Sequence, residues 1–140
     1  MRKLLAIALL WSCATWMAAA QTNGVDPVAV QQATDELTAL YHLDNAQAQK
    51  MHTIQERRFR NLAEIEPLKT QDYSVFLAKR KAVVTGTDGS IKRMLNEEQL
   101  VIFNNQIAER RKQESDLIRG LREKGASKEE IQQAILEQMY

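Results

Sequence analysis

Cysteine is nearly missing from this chain. With one, Cys13, in 140 residues, no disulfide can close within it, and packing alone must hold the fold. Proline occurs twice, at Pro27 and Pro67, and glycine five times, so little stands in the way of long helices. No segment alternates apolar and polar residues with β-branched enrichment, and no sheet is expected. Aromatic residues make up only 6 % of the sequence, too few for a thick core. Histidine appears only as His42 and His52, with no His-x-x-x-His pair, no carboxylate–histidine cluster and no glycine-rich phosphate loop nearby. No metal and no cofactor are expected, the alternative being metal buffering through those two histidines and nearby acids. Serine and threonine have no base and orienting acid at telling spacings, so no enzyme is expected.

The first twenty residues read as a targeting segment. Met1-Arg2-Lys3 is a short positive start, Leu4 to Trp11 is apolar, and Ala18-Ala19-Ala20 offers small residues before Gln21. This is the order of a cleaved signal peptide, with cleavage expected after Ala20; the apolar run is too short for a membrane anchor. Lipid attachment at Cys13 is the rival, and Trp11 fits it poorly. Of the 19 basic residues, Arg2 and Lys3 leave with the leader, so 17 face 18 acidic ones and the net charge is −1. That balance argues against nucleic acid as a partner. No transmembrane segment is expected in the mature chain, and its location is expected to be the periplasm. The expected division is a leader over 1–20, a helical domain over 21–116 and a C-terminal helical extension over 117–140.

What the chain does have is one five-residue pattern used twice, 52 positions apart: Leu43-Asp44-Asn45-Ala46-Gln47 and Leu95-Asn96-Glu97-Glu98-Gln99. Each places an apolar residue, then a good helix cap, then Gln three positions on. In such a capping box the Asp44 or Asn96 oxygen accepts the N–H of the third helical residue, while the Gln side chain reaches back to the N–H of the cap. A gapless overlay sets Met51 on Phe103 and Arg58 on Arg110, so the likeness extends past the caps. If the two helices begin at distant points, the boxes act independently.

Around the boxes, apolar residues recur at helical spacing. Asp26-Pro27 reads as a cap and first helical residue, followed by Val30, Ala33, Leu37 and Leu40-Tyr41. The helix capped by Asp44 carries Ala48, Met51, Ile54-Gln55, Arg58, Leu62 and Ile65 on one side. Pro67 marks a reversal of the chain. Tyr73, Phe76-Leu77, Arg80 and Val83-Val84 form a third stripe, which Thr85-Gly86-Thr87-Asp88-Gly89-Ser90 is expected to break as a kink or short loop. Asn96 opens a fourth helix with Leu100, Phe103, Ile107, Leu117-Ile118 and Leu121. Gly125 stops it, and Ser127 to Glu130 is a third box for a last helix. The fold class expected is all-α: an extended, bent hairpin of four to five helices with narrow apolar stripes, completed by a second copy.

Three basic clusters remain as candidates for binding: Arg57-Arg58 with Arg60, Lys79-Arg80-Lys81, and Arg110-Arg111-Lys112. One reading is a solvated helix face. The other is a surface holding unfolded or acidic segments, with Arg57, Arg58, Arg60, Lys79, Arg80 and Arg110 supplying attraction and Met51, Phe59, Phe76 and Phe103 supplying adaptable apolar contact.

The leader, the helical mature chain and the two Leu-cap-x-x-Gln boxes together resemble the Spy/CpxP family of periplasmic proteins, named for LTxxQ motifs. Leu43, Gln47, Leu95 and Gln99 match the motif, while Asp44 and Asn96 stand where the family usually has threonine. The resemblance spans roughly residues 30 to 112. It implies a bent helical hairpin that dimerises into a cradle. It also implies an ATP-independent chaperone for non-native proteins, an inhibitor of an envelope-stress sensor domain, or a metal-responsive accessory protein. The histidines and acids that metal-responsive relatives carry near the mature N-terminus have no counterpart here.

Overall fold

The computed structural model describes residues 25–140; the expected leader, Cys13 and the cleavage point lie outside the described residues. Among the described residues the chain is helical with no strand: α1 (Pro27–Tyr41), α2 (Asn45–Ile65), a single turn α3 (Leu68–Gln71), α4 (Tyr73–Met94), α5 (Glu97–Glu123) and α6 (Lys128–Met139).

Local chemistry sets most of the boundaries. Asp26 caps α1 by accepting the Val28 N–H at 2.9 Å, and Pro27 has no N–H to leave orphaned at the first position. α1 ends in a Schellman turn: Leu43 N–H reaches Thr38 O, His42 N–H reaches Ala39 O, and His42 takes the left-handed conformation at φ 53°. α5 ends the same way, with Gly125 at φ 75° in the corresponding place. α2 ends just before Pro67, but the reversal expected there is corrected: Glu66 and Pro67 keep helical backbone and lead into α3. The chain leaves the helical region at Asp72 (φ −153°, ψ 94°), which caps α4 by accepting the Val75 N–H at 3.1 Å.

The expected break at Thr85–Ser90 is corrected: α4 passes through it without interruption. Thr87 and Ser90 bend their hydroxyls back onto Val83 O and Gly86 O at 2.8 and 3.0 Å. Two helical glycines cost about 1 kcal/mol each. Burial of Ile91 just beyond them returns roughly 2–3 kcal/mol, and the Asp88–Arg110 ion pair ties the segment to α5. Tertiary contact outweighs local propensity.

α1 packs on α2, and α2 runs antiparallel to α4, as shown by Gln47 reaching Met94 O and Arg57 reaching Ser90. The core at this end joins Tyr41, Met51, Ile54, Ile91, Leu95 and Phe103, with Leu37, Leu43, Met94, Leu100, Ile102 and Ile107 around it. α5 crosses α1 and continues as one helix through its polar stretch, so the expected boundary between 116 and 117 lies inside it. α6 folds back onto both α5 and α4 and buries Ile135. No helix of the described residues is long and apolar enough to cross a membrane.

Candidate functional site

The two boxes do not act at distant points. Each is complete on its own: Asp44 accepts the Gln47 N–H at 2.8 Å and Gln47 Oε1 accepts the Asp44 N–H at 3.2 Å, while Asn96 and Gln99 repeat the exchange at 2.9 and 3.0 Å. The two glutamine side chains then meet. Gln47 Nε2 donates to Gln99 Oε1 and Gln99 Nε2 donates to Gln47 Oε1, both at 2.8 Å. The second hydrogen of each amide goes to a backbone carbonyl of the other half: Gln47 to Met94 O at 3.1 Å, Gln99 to His42 O at 3.4 Å. A primary amide has two donors and two acceptor sites, and here all of them are used. The condition for independent boxes is not met, because the hairpin brings both helix starts to one junction. Leu43 packs against the core and Leu95 is part of it.

Beside the junction, a cavity of about 410 Å³ opens between α1, α2, α4 and α5. Arg58 and Arg110, the overlay partners, both line it, with Asp88, Gln55, Tyr41 and Gln106. Arg110 is paired with Asp88, and Tyr41 donates its hydroxyl hydrogen to Gln106 Oε1. Burial raises the Tyr41 phenol above its ordinary range; Asp88 adds to the effect and Arg110 opposes it. Burial also lowers Arg58 from the usual guanidinium value, with Asp88 opposing. Arg58 lies over the Phe59 ring, 5.4 Å from its centre.

The residues expected to contact clients are scattered by the fold. Met51, Phe76 and Phe103 are 0, 6 and 5 % exposed, so the expectation that they offer open apolar contact is corrected. They sit on the inward stripes of α2, α4 and α5, where burying a large side chain contributes about 1.5–3 kcal/mol. Phe59 is half-buried. Arg57 is exposed and donates to Ser90 Oγ at 3.0 Å; Arg60 and Lys79 are exposed; Arg80 is half-buried. Of the cations expected to contact clients, Arg58 and Arg110 line the same cavity. At the other end, Tyr73 stacks on Phe76 with ring centres 6.0 Å apart, and Lys81 covers the ring of Tyr140 at 4.8 Å.

His42 is the exposed left-handed residue ending α1 and His52 is half-buried on α2; no group of three His, Cys, Asp or Glu side chains among the described residues is placed to hold a metal ion. Gln55, Asp88, Tyr41 and Gln106 were not singled out from the sequence as site residues. Gln55 did carry a signal, an amide set in an otherwise apolar stripe; Asp88 was hidden in the segment expected to be a break. Comparison with known proteins finds no matching family model, curated protein or solved structure.

Proposed function

We propose that this chain is a non-enzymatic binding protein of the periplasm that holds non-native protein segments without nucleotide, acting as a homodimer. The observation that carries the reading is the junction: two Leu-cap-x-x-Gln boxes join the start of α2 to the start of α5. They thereby fix a bent, thin helical frame of the kind the Spy/CpxP resemblance implies. The exposed cations Arg57, Arg60 and Lys79, with half-buried Arg80 and Phe59, supply attraction and limited apolar contact for such segments. Val101 and Leu40, 60 and 38 % exposed, add open apolar surface in place of Met51, Phe76 and Phe103.

Light scattering of an unrelated protein unfolding at low salt tests this. Equimolar protein is expected to slow aggregation, and added salt to weaken the protection, because solvated charges are screened beyond about 10 Å at 0.1 M. An unchanged aggregation rate at equimolar ratio and low salt refutes the chaperone reading. Crosslinking in cells that recovers one envelope sensor domain instead of many proteins places the chain among regulators.

A further inference from the structure

The cavity between α1, α2, α4 and α5 holds a charge arrangement that the fold leaves incomplete. Two cations, Arg58 and Arg110, line it together with the half-buried carboxylate of Asp88, and Asp88 is taken by Arg110. The other acid on the lining, Glu36, lies on the exposed side and accepts from Gln32 at 3.0 Å. Among the described residues Arg58 makes no ion pair and donates no hydrogen bond; its contact is the Phe59 ring. Asp88 offsets part of the cost of burying Arg58 but is itself paired with Arg110. A half-buried guanidinium with no carboxylate bonded to it is costly, and its planar fork matches one.

A second group points the same way. Gln55 is one helical turn before Arg58, 1 % exposed, and lines the same cavity. The hydrogen bond its amide makes is a weak one, Nε2 to the Met51 sulfur at 3.5 Å, so a buried polar side chain has capacity to spare for a ligand. Leu37, Val84, Ile91 and Ile107 supply apolar wall, with Thr87 and Gln106 among the remaining lining residues. The volume, about 410 Å³, lies within the roughly 300–1,000 Å³ range of ordinary small-molecule pockets.

We propose that this cavity binds an amphiphilic monocarboxylate, with the Arg58 guanidinium anchoring the carboxylate, Gln55 bonding beside it, and Leu37 and Ile107 receiving the apolar tail. Two sources share that chemistry: a free acid with a short aliphatic or aromatic tail, and the terminal carboxylate of a peptide ending in an apolar residue. The assignment stands apart from the chaperone reading, since aggregation protection does not need this cavity and ligand binding does not need clients.

Calorimetric titration of the purified protein with octanoate tests it, with octanamide as the uncharged probe of the same shape. Octanoate is expected to saturate one site and octanamide to bind at least tenfold more weakly. In Arg58→Gln, octanoate affinity is expected to fall by tenfold or more, the worth of a charge-assisted hydrogen bond, with the circular dichroism of the fold unchanged. Arg58→Lys keeps the charge without the fork and is expected to fall between the two. N-acetyl-leucyl-phenylalanine, as acid and as amide, separates the sources: saturation by the acid alone assigns a peptide terminus, and saturation by octanoate alone assigns a free acid. Should Arg58→Gln unfold, amide shift mapping of octanoate on the unaltered protein decides, with shifts at Gln55, Arg58 and Leu37 supporting the site and shifts elsewhere overturning it. Equal affinity for octanoate and octanamide, undiminished octanoate binding by folded Arg58→Gln, or no saturation by either acid overturns the proposal.

Discussion

Replacing Gln47 and Gln99 by alanine, singly and together, tests the junction most directly. Gln99→Ala removes the acceptor of the Asn96 N–H and the donor to His42 O, and it takes both reciprocal bonds from Gln47. Gln99 is only 6 % exposed, so water cannot readily replace these partners. A buried polar group left unpaired costs about 1–3 kcal/mol, and Gln99→Ala is expected to lose roughly 2–3 kcal/mol. Gln47 is more accessible, and Gln47→Ala should lose somewhat less. The double variant removes both halves of the pair, so the shared penalty is counted once and the loss falls short of the sum by about 1–2 kcal/mol. Urea unfolding followed by circular dichroism at 222 nm gives all three values, and each single change should lower the melting temperature by roughly 10 °C. The backbone N–H groups of Asp44 and Asn96 fix which way each amide points, so the pattern has one satisfied arrangement. Additivity within about 0.3–0.5 kcal/mol, the behaviour of unconnected sites, would refute the paired junction and restore two independent caps.

Gly86→Ala should stabilise the protein by about 1 kcal/mol, since the added methyl meets nothing within 4 Å and the position is helical. A lower midpoint in the same urea assay would mean that α4 is not continuous there. Acid should weaken two helix starts. The Val75 N–H and the Ser74 hydroxyl hold Asp72 below its usual pKa, and the Ser127 N–H does the same for Glu130. A carboxylate depressed in the fold contributes stability that is present above its unfolded pKa and lost as pH falls through the folded one. Melting temperature should therefore be level near neutrality and drop below about pH 4, and an Asp72→Asn/Glu130→Gln variant should drop less. Identical acid profiles for the variant and the parent would remove these two groups from the explanation.

Much of the frame was legible because its causes are local. A cap and the side chain that answers it lie three residues apart, so Asp44–Gln47, Asn96–Gln99 and Ser127–Glu130 could be read directly, as could Asp26-Pro27 and the end of α2 before Pro67. The meeting of Gln47 with Gln99 joins positions 52 residues apart, and only the closing of the hairpin brings them together. The same limit explains α4. Propensity at Gly86 and Gly89 is a property of the segment, whereas the burial of Ile91 and the pairing of Asp88 depend on α2 and α5. Met51, Phe76 and Phe103 were visible as stripe residues, yet spacing alone does not say whether a stripe faces a neighbour or the solvent. For the cavity, Arg58 and Arg110 were legible as equivalent positions; the Asp88 carboxylate that pairs with Arg110 was not.

α6 carries a consequence for what the α4 face can hold. It is joined to α5 by residues 124–127 and lies along a groove where Tyr73, Ser74 and Leu77 of α4 meet Gln132, Gln133 and Leu136 of its own. A short tether presents its cargo at an effective concentration on the order of millimolar. Any outside helix seeking that groove competes with a rival that never diffuses away. If dissolved at micromolar levels, it prevails only by binding roughly a thousandfold more tightly than α6 does. The tail thereby sets an affinity threshold for the groove, and Ile131, Ile135 and Leu136 spell out the amphipathic pattern that a successful competitor has to better.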